Sequence, residues 1–212
     1  SKKSVTEDQA TVDYDLLISL PAEPISYSDQ IRPILNQRCV VCHGCYDAPC
    51  QLKLSSMEGL QRGANPTKVY DGARIRGIEP SRLFIDAQSA EEWRDKGFHS
   101  VLNEGAVNPR QNLDESVLYQ MLRLKQLHPQ PRVGMLPDSF DLGLDRAQSC
   151  TTTENFHEFA KKHPLWGMPY AMPNLSDEEY RLLVQWIAQG AKGTDISKPS
   201  PEALEQIKRW EA

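Results

Sequence analysis

The chain has 212 residues with 39% hydrophobic and 25% charged side chains, enough for one globular domain or one domain with a large insertion. Its formal net charge of −5 argues against a nucleic-acid binder, and no apolar run approaches the roughly 20 residues of a membrane span. Ser1-Lys2-Lys3 leads into acidic, polar sequence, so no secretory leader is visible.

Residues 1–25 are polar and end in Pro21 and Pro24, which predicts an extended lead-in. A helix is expected from Tyr27, with Ser28 or Asp29 as its cap. Tyr27, Ile31, Ile34 and Leu35 share one face, provided Pro33 falls in a first turn. That helix runs into RCVVCHGCYDAPC, in which Cys39, Cys42 and His43 form C-x-x-C-H. The pentapeptide is the attachment pattern of c-type haem: two thiols add to the vinyl groups, and the next histidine meets the iron from the proximal side. Cys39, Cys42, Cys45 and Cys50 also read C-x2-C-x2-C-x4-C, which suits zinc or an iron–sulfur cluster; a pair of disulfides beside a bystander histidine is the plainest alternative. Haem is favoured, because His43 directly follows the second cysteine and a Met-Pro segment followed by a helix closes the chain.

With Cys39 and Cys42 holding haem, Cys45, Cys50 and Cys150 remain. Covalent haem is attached outside the cytoplasm, which makes Ser1 read as the start of a mature or engineered chain. In that oxidising setting two of the three cysteines can pair. Cys45–Cys50 is the nearest pair and would leave Cys150 free, although Cys150 with either partner stays open.

Residues 51–80 read as a loop with short helical turns around the haem, followed by segments over 81–88 and 89–96. Ser89 with Glu92 has the capping-box pattern. Asn112 with Glu115 predicts a second start for a helix reaching about Leu127, with Val117, Leu118, Met121, Leu122 and Leu124 apolar and Pro129 as the stop. Residues 137–150 look loop-like, and Phe156, Phe159 and Ala160 suggest a short helix before Pro164. The strongest helix begins at Ser176, boxed with Glu179, and carries Tyr180, Leu183, Val184 and Ile187 toward Gly190. Ser200 and Pro201 predict a last helix carrying Leu204, Ile207 and Trp210.

The second axial ligand is expected from Met168 or Met172 in GMPYAMPNLSDEE. Met168 is preferred, because four residues between Met172 and Ser176 leave little chain to reach the iron and return. Met57, Met121 and Met135 read as packing residues. His99, His128, His157 and His163 are scattered and weaker candidates. Trp166 and Trp186 read as haem-wall or core aromatics.

Two stretches, YSDQIRPILNQRCVVCHGCYDAPCQLKLSS and GMPYAMPNLSDEEYRLLVQWIAQGA, resemble the cytochrome-like amino-terminal region of bacterial fatty acid cis/trans isomerases. The resemblance implies an all-α, cytochrome c-like helical haem domain over 26–196 with a loop and helix insertion at about 78–163. Residues 197–212 would then begin a helix leading to a further C-terminal region. It also implies one covalent haem c held by Cys39, Cys42 and His43, with Met168 as the axial methionine. The implied substrates are unsaturated acyl chains of phospholipids, met in the periplasm with peripheral membrane contact. The iron would act as an electrophile that transiently weakens the double bond. A plain electron-transfer module is the alternative reading, and a haem domain that senses for an attached enzyme is a third.

Overall fold

The computed structural model describes residues 12–44, 48–67, 83, 87–105, 108–130 and 150–193. Every extended element among them is helical, and the only bridges are Ala64 with His99 and Leu83 with Ala87. The expectation of an all-α chain is met at that level. The helices are α1 (Tyr14–Ser19), α2 (Arg32–Arg38), α3 (Val40–His43), α4 (Met57–Arg62), α5 (Ala90–Asp95), α6 (Pro109–Asp114), α7 (Val117–Leu127), α8 (Phe156–Lys162) and α9 (Asp177–Ala188). A π turn at Tyr27–Ile31 leads into α2, and a 3-10 turn spans Pro49–Gln51.

The chain divides into two compact units interleaved in sequence. The first contains Ser1–Pro24, Leu102–Leu142 and Thr151–Gly190; the second contains Ile25–Val101, Gly143–Cys150 and Ala191–Ala212. The stretch 26–196 therefore holds parts of both.

In the first unit α7 packs on α6, α8 and α9, and α6 also packs on α9. Ser176 accepts from the Glu179 amide at 3.1 Å while the Glu179 carboxylate accepts from the Ser176 amide at 3.0 Å, so the expected capping box is complete. Tyr180, Leu183, Val184 and Ile187 are all buried. The start of α7 differs from expectation. Its cap is Ser116, which accepts from Tyr119 at 3.1 Å. Asn112 instead lies inside α6, where its amide donates 2.8 Å to the Ala188 carbonyl at the end of α9. The Asn112 side-chain oxygen, the atom a cap would use, accepts from the Asn103 amide at 2.9 Å instead of from the backbone ahead of it.

The lead-in is not wholly extended, because α1 interrupts it. Asp13 caps α1 by accepting from Leu16 at 3.0 Å, pairs with Arg123 at 3.0 Å, and donates its own amide to the Tyr119 hydroxyl at 3.1 Å. Gln185 donates to the carbonyls of Pro21 and Glu23, both at 3.0 Å, and Gln189 donates to Glu23 at 2.7 Å. These bonds strap the segment to α7 and α9, where a capped turn satisfies its backbone better than an extended run would. Burial holds the Tyr180 hydroxyl well above the usual tyrosine range, and burial also raises that of Tyr119.

In the second unit Ile31, Ile34 and Leu35 are buried as expected, and Pro33 does fall in the first turn of α2. The cap is Ser26, one turn earlier than expected, accepting from Asp29 at 3.2 Å. Ser89 caps α5, but Glu92 accepts from Gln88 rather than Ser89, so that capping box is only half formed. Residues 51–67 supply α4, with Met57 and Leu60 buried. Residues 68–80, residues 137–149, Met135 and the helix expected after Pro201 lie outside the described residues, as does most of 81–88.

Gly63 and Gly97 both adopt positive φ, at +85° and +87°. A Cβ on Gly63 would lie 2.1 Å from the His99 carbonyl oxygen, whereas one on Gly97 would meet only the Asn65 amide at 3.4 Å. Gly63→Ala is therefore expected to destabilise by more than about 2 kcal/mol and Gly97→Ala by about 1 kcal/mol. Urea midpoints of the two variants check this, and equal shifts would refute the close approach at Gly63.

Candidate haem-attachment site

Cys39 is the junction between α2 and α3. Its amide donates 2.9 Å to Leu35, and its carbonyl accepts from Cys42 at 3.1 Å and His43 at 2.9 Å. One nearly continuous helix thus carries both thiols and the imidazole. Cys39 is half-buried, Cys42 is exposed, and neither is in a disulfide. His43 is buried.

The His43 ring nitrogen Nδ1 lies 3.1 Å from the Leu52 carbonyl. A carbonyl only accepts, so Nδ1 carries the proton and Nε2 keeps the lone pair. This is the tautomer an iron or other metal ligand needs, with the second nitrogen tied to a carbonyl to fix the ring. The backbone returns the contact: the Leu54 amide donates 2.8 Å to the His43 carbonyl. Burial pushes the His43 pKa down despite the opposing effect of the Leu52 bond, which favours the neutral ring.

The cysteine pairing differs from the nearest-neighbour expectation. Cys50 is bonded to Cys150 across 100 residues of chain, so Cys150 is not free and Cys45–Cys50 is excluded. Proximity in sequence was a poor guide, because folding brings these Cα atoms to 5.8 Å. Cys45 lies outside the described residues. The disulfide also removes Cys50 from the four-cysteine set considered for zinc or an iron–sulfur cluster. Among the described residues no three His, Cys, Asp or Glu side chains cluster to hold a bare metal ion. Two thiols outside any disulfide and a neutral, oriented imidazole on one helix fit covalent haem.

Cys50 and Gln51 both take left-handed backbone, with φ of +56° and +51°. For such residues the conformation costs roughly 1–2 kcal/mol each. The surroundings offset it. The Cys50 carbonyl accepts from the Asn65 amide at 2.7 Å, the Gln51 carbonyl accepts from the buried Arg62 guanidinium, and the Gln51 side chain donates 2.8 Å to Thr67. Arg62 in turn stands over the rings of Phe98 and Trp93, 4.8 and 5.7 Å from their centroids.

Met168 and Met172 belong to the first unit and the C-x-x-C-H helix to the second. Both methionines are half-buried. The Met168 amide donates 3.0 Å to the Met121 carbonyl, and the Met168–Pro169 peptide is cis. A Cβ on Gly167 would meet the Lys125 backbone nitrogen at 2.3 Å, so this turn lies directly against α7. The Lys125 ammonium, on a buried side chain, donates 2.9 Å to the Met172 carbonyl. The role of Lys125 was not anticipated. Its trace in the sequence is position: it continues the Leu118–Leu122 stripe, where a lysine is unexpected.

The remaining candidates are spread out. His99 bridges to Ala64, His128 ends α7, and His157 is exposed on α8. His163 stacks on Trp166 with centroids 3.8 Å apart. Trp186 is core, and Met57 is buried. Met121 packs beside Leu124, Phe156 and Ala160.

The described residues thus define an all-helical protein in which a buried histidine, its ring held by a backbone carbonyl, shares one helical stretch with two cysteines outside any disulfide. The family model of fatty acid cis/trans isomerases matches residues 78–212, more than half of the chain. The chain belongs to the fatty acid cis/trans isomerase family. The match includes Met168, Met172 and α9; Cys39, Cys42 and His43 lie before it. No curated protein and no solved structure matches the chain. No helix among the described residues is long and apolar enough to cross a membrane.

Burial lowers the Lys125 pKa from 10.5 to about 8. Between those values the unfolded chain binds the extra proton, so this group makes stability rise as pH climbs from about 8 toward 10.5. Lys125→Met should flatten that rise, measured as urea midpoints across the window; an unchanged slope would assign the rise to other groups.

Proposed function

We propose that this chain is the haem c-bearing, cytochrome c-like part of a periplasmic enzyme that converts cis double bonds in phospholipid acyl chains to trans. The isomerase activity and an acyl substrate follow from the family. The haem reading is carried by one observation: the His43 ring is held by the Leu52 carbonyl with Nε2 left as a lone pair, on the same helix as Cys39 and Cys42. The disulfide between Cys50 and Cys150 supports an oxidising compartment such as the periplasm.

Cys39 and Cys42 would form the thioether links, and His43 and Met168 would be the side chains that bind the iron. Bound haem would supply an electrophilic iron, chemistry that suits an isomerisation with no net oxidation or reduction. The chain's own residues do the holding. Leu52 fixes the imidazole tautomer. The Met168 amide bond to Met121 and the Lys125 bond to Met172 seat the Met-Pro turn on α7. The membership of residues 78–212 favours the isomerase over a plain electron carrier.

Expression with a haem-maturation system tests the reading. A covalently bound c-type haem is expected in the parent. Cys39→Ala, Cys42→Ala and His43→Ala should each lose covalent haem or its normal spectrum. Met168→Ala should change the axial-ligand bands while Met172→Ala leaves them intact. A haem-free parent would overturn the haem reading, and the reverse methionine result would move the ligand to Met172. Assay of the haem-loaded enzyme on cis-unsaturated phospholipid vesicles should yield trans acyl chains; rapid exchange of electrons with redox dyes and no isomerisation would favour the carrier.

A further inference from the structure

We infer that the Cys50–Cys150 disulfide, Arg62 and Gln51 are positioning groups for His43, acting through the corner that presents the Leu52 carbonyl to its ring. The inference rests on the reading of His43 as the iron's proximal ligand. It extends the site beyond the C-x-x-C-H helix to residues 50–67 and to Cys150.

The Leu52 carbonyl is placed by the two residues before it, and both have unfavourable left-handed φ values. Left to local preference, this corner would relax and carry the carbonyl away from Nδ1. Four restraints oppose that. The disulfide ties the Cys50 side chain to Cys150. The Asn65 amide holds the Cys50 carbonyl at 2.7 Å. The Arg62 guanidinium holds the Gln51 carbonyl, and the Gln51 side chain reaches the Thr67 carbonyl at 2.8 Å. Arg62 is itself fixed: its guanidinium lies over Phe98 and Trp93, and its carbonyl accepts 2.7 Å from Arg94, which also reaches the carbonyls of Gln61 and Phe98. On the far side of the corner the Leu54 amide closes onto the His43 carbonyl at 2.8 Å. The imidazole is thus gripped by a segment that is strained where it turns and pinned at every peptide around the turn. Such an arrangement serves a ring whose direction matters, since a merely buried histidine is satisfied by any acceptor.

The test reads the His43 ring proton by nitrogen-resolved NMR of the 212-residue chain, both as isolated with reduced haem and haem-free. In the parent, the Nδ1–H signal is expected in both forms and should exchange slowly with solvent. In the Cys50→Ser/Cys150→Ser double variant, exchange of Nδ1–H and of the Leu54 amide should be at least tenfold faster, while amides of α9 keep their protection. Arg62→Gln should do the same, and Arg62→Lys should restore part of the protection. Gln51→Ala keeps the φ of +51° and the disulfide but removes the side-chain bond to Thr67; it should also speed exchange, and it decides the question if the serine pair does not fold. Exchange within twofold of the parent in Gln51→Ala and in either other folded variant, or a parent proton found on Nε2, would overturn the inference. A parent without haem would instead count against the haem reading, and the haem-free comparison would still decide this one.

Discussion

A hydrogen bond between one ring nitrogen of His43 and the carbonyl of Leu52 organises the second unit's chemistry. It settles which nitrogen is protonated, and with it which side of the ring can donate an electron pair. That choice would be random for an exposed histidine. Here it is imposed by the chain reversal at Cys50 and Gln51, which both sit in backbone conformations that few side chains accept. The helix supplies the ring and thiols at fixed spacing. The reversal supplies the direction.

The first unit shows the same economy of means with different parts. The Met-Pro turn carries no regular secondary structure, yet its backbone is held at both ends by α7, through Met121 near one end and the Lys125 ammonium at the other. A buried lysine is costly to desolvate, and the depressed proton affinity of Lys125 reflects that cost. Its ammonium donates to the Met172 carbonyl and so fastens the second Met-Pro of the turn to α7.

Local chemistry was legible in the sequence and long-range chemistry was not. The Ser176–Glu179 box and the stripe of α9 are set by residues within two turns of one another, and they appear as read. Pro33 also sits where a helix tolerates it. Three of the departures share one cause. Asn112 looked like a cap, but its amide is spent on Ala188, 76 residues away. The lead-in looked extended, but Tyr119 and Arg123 draw Asp13 into a capping position from more than 100 residues off. Cys50 has a neighbour in Cys45 and a partner in Cys150. The C-x-x-C-H pattern could be read, whereas the Leu52 carbonyl that orients its histidine is a backbone atom and leaves no mark on composition. The family match runs over residues 78–212, so the stretch that carries this motif is tied to the matched portion by the shared units and by the disulfide into Cys150.

That disulfide has a consequence for how the protein is made. The ribosome delivers Cys39, Cys42, Cys45 and Cys50 together and Cys150 only after another hundred residues. Short loops close sooner than long ones, so early oxidation selects the wrong partners among the first four thiols. Correct pairing then requires those early bonds to be reopened by a thiol that exchanges them. Under the proposed haem attachment, Cys39 and Cys42 would also have to stay reduced. Pairing Cys50 with Cys150 therefore depends on the order in which these sulfurs react as well as on the stability of the final bond.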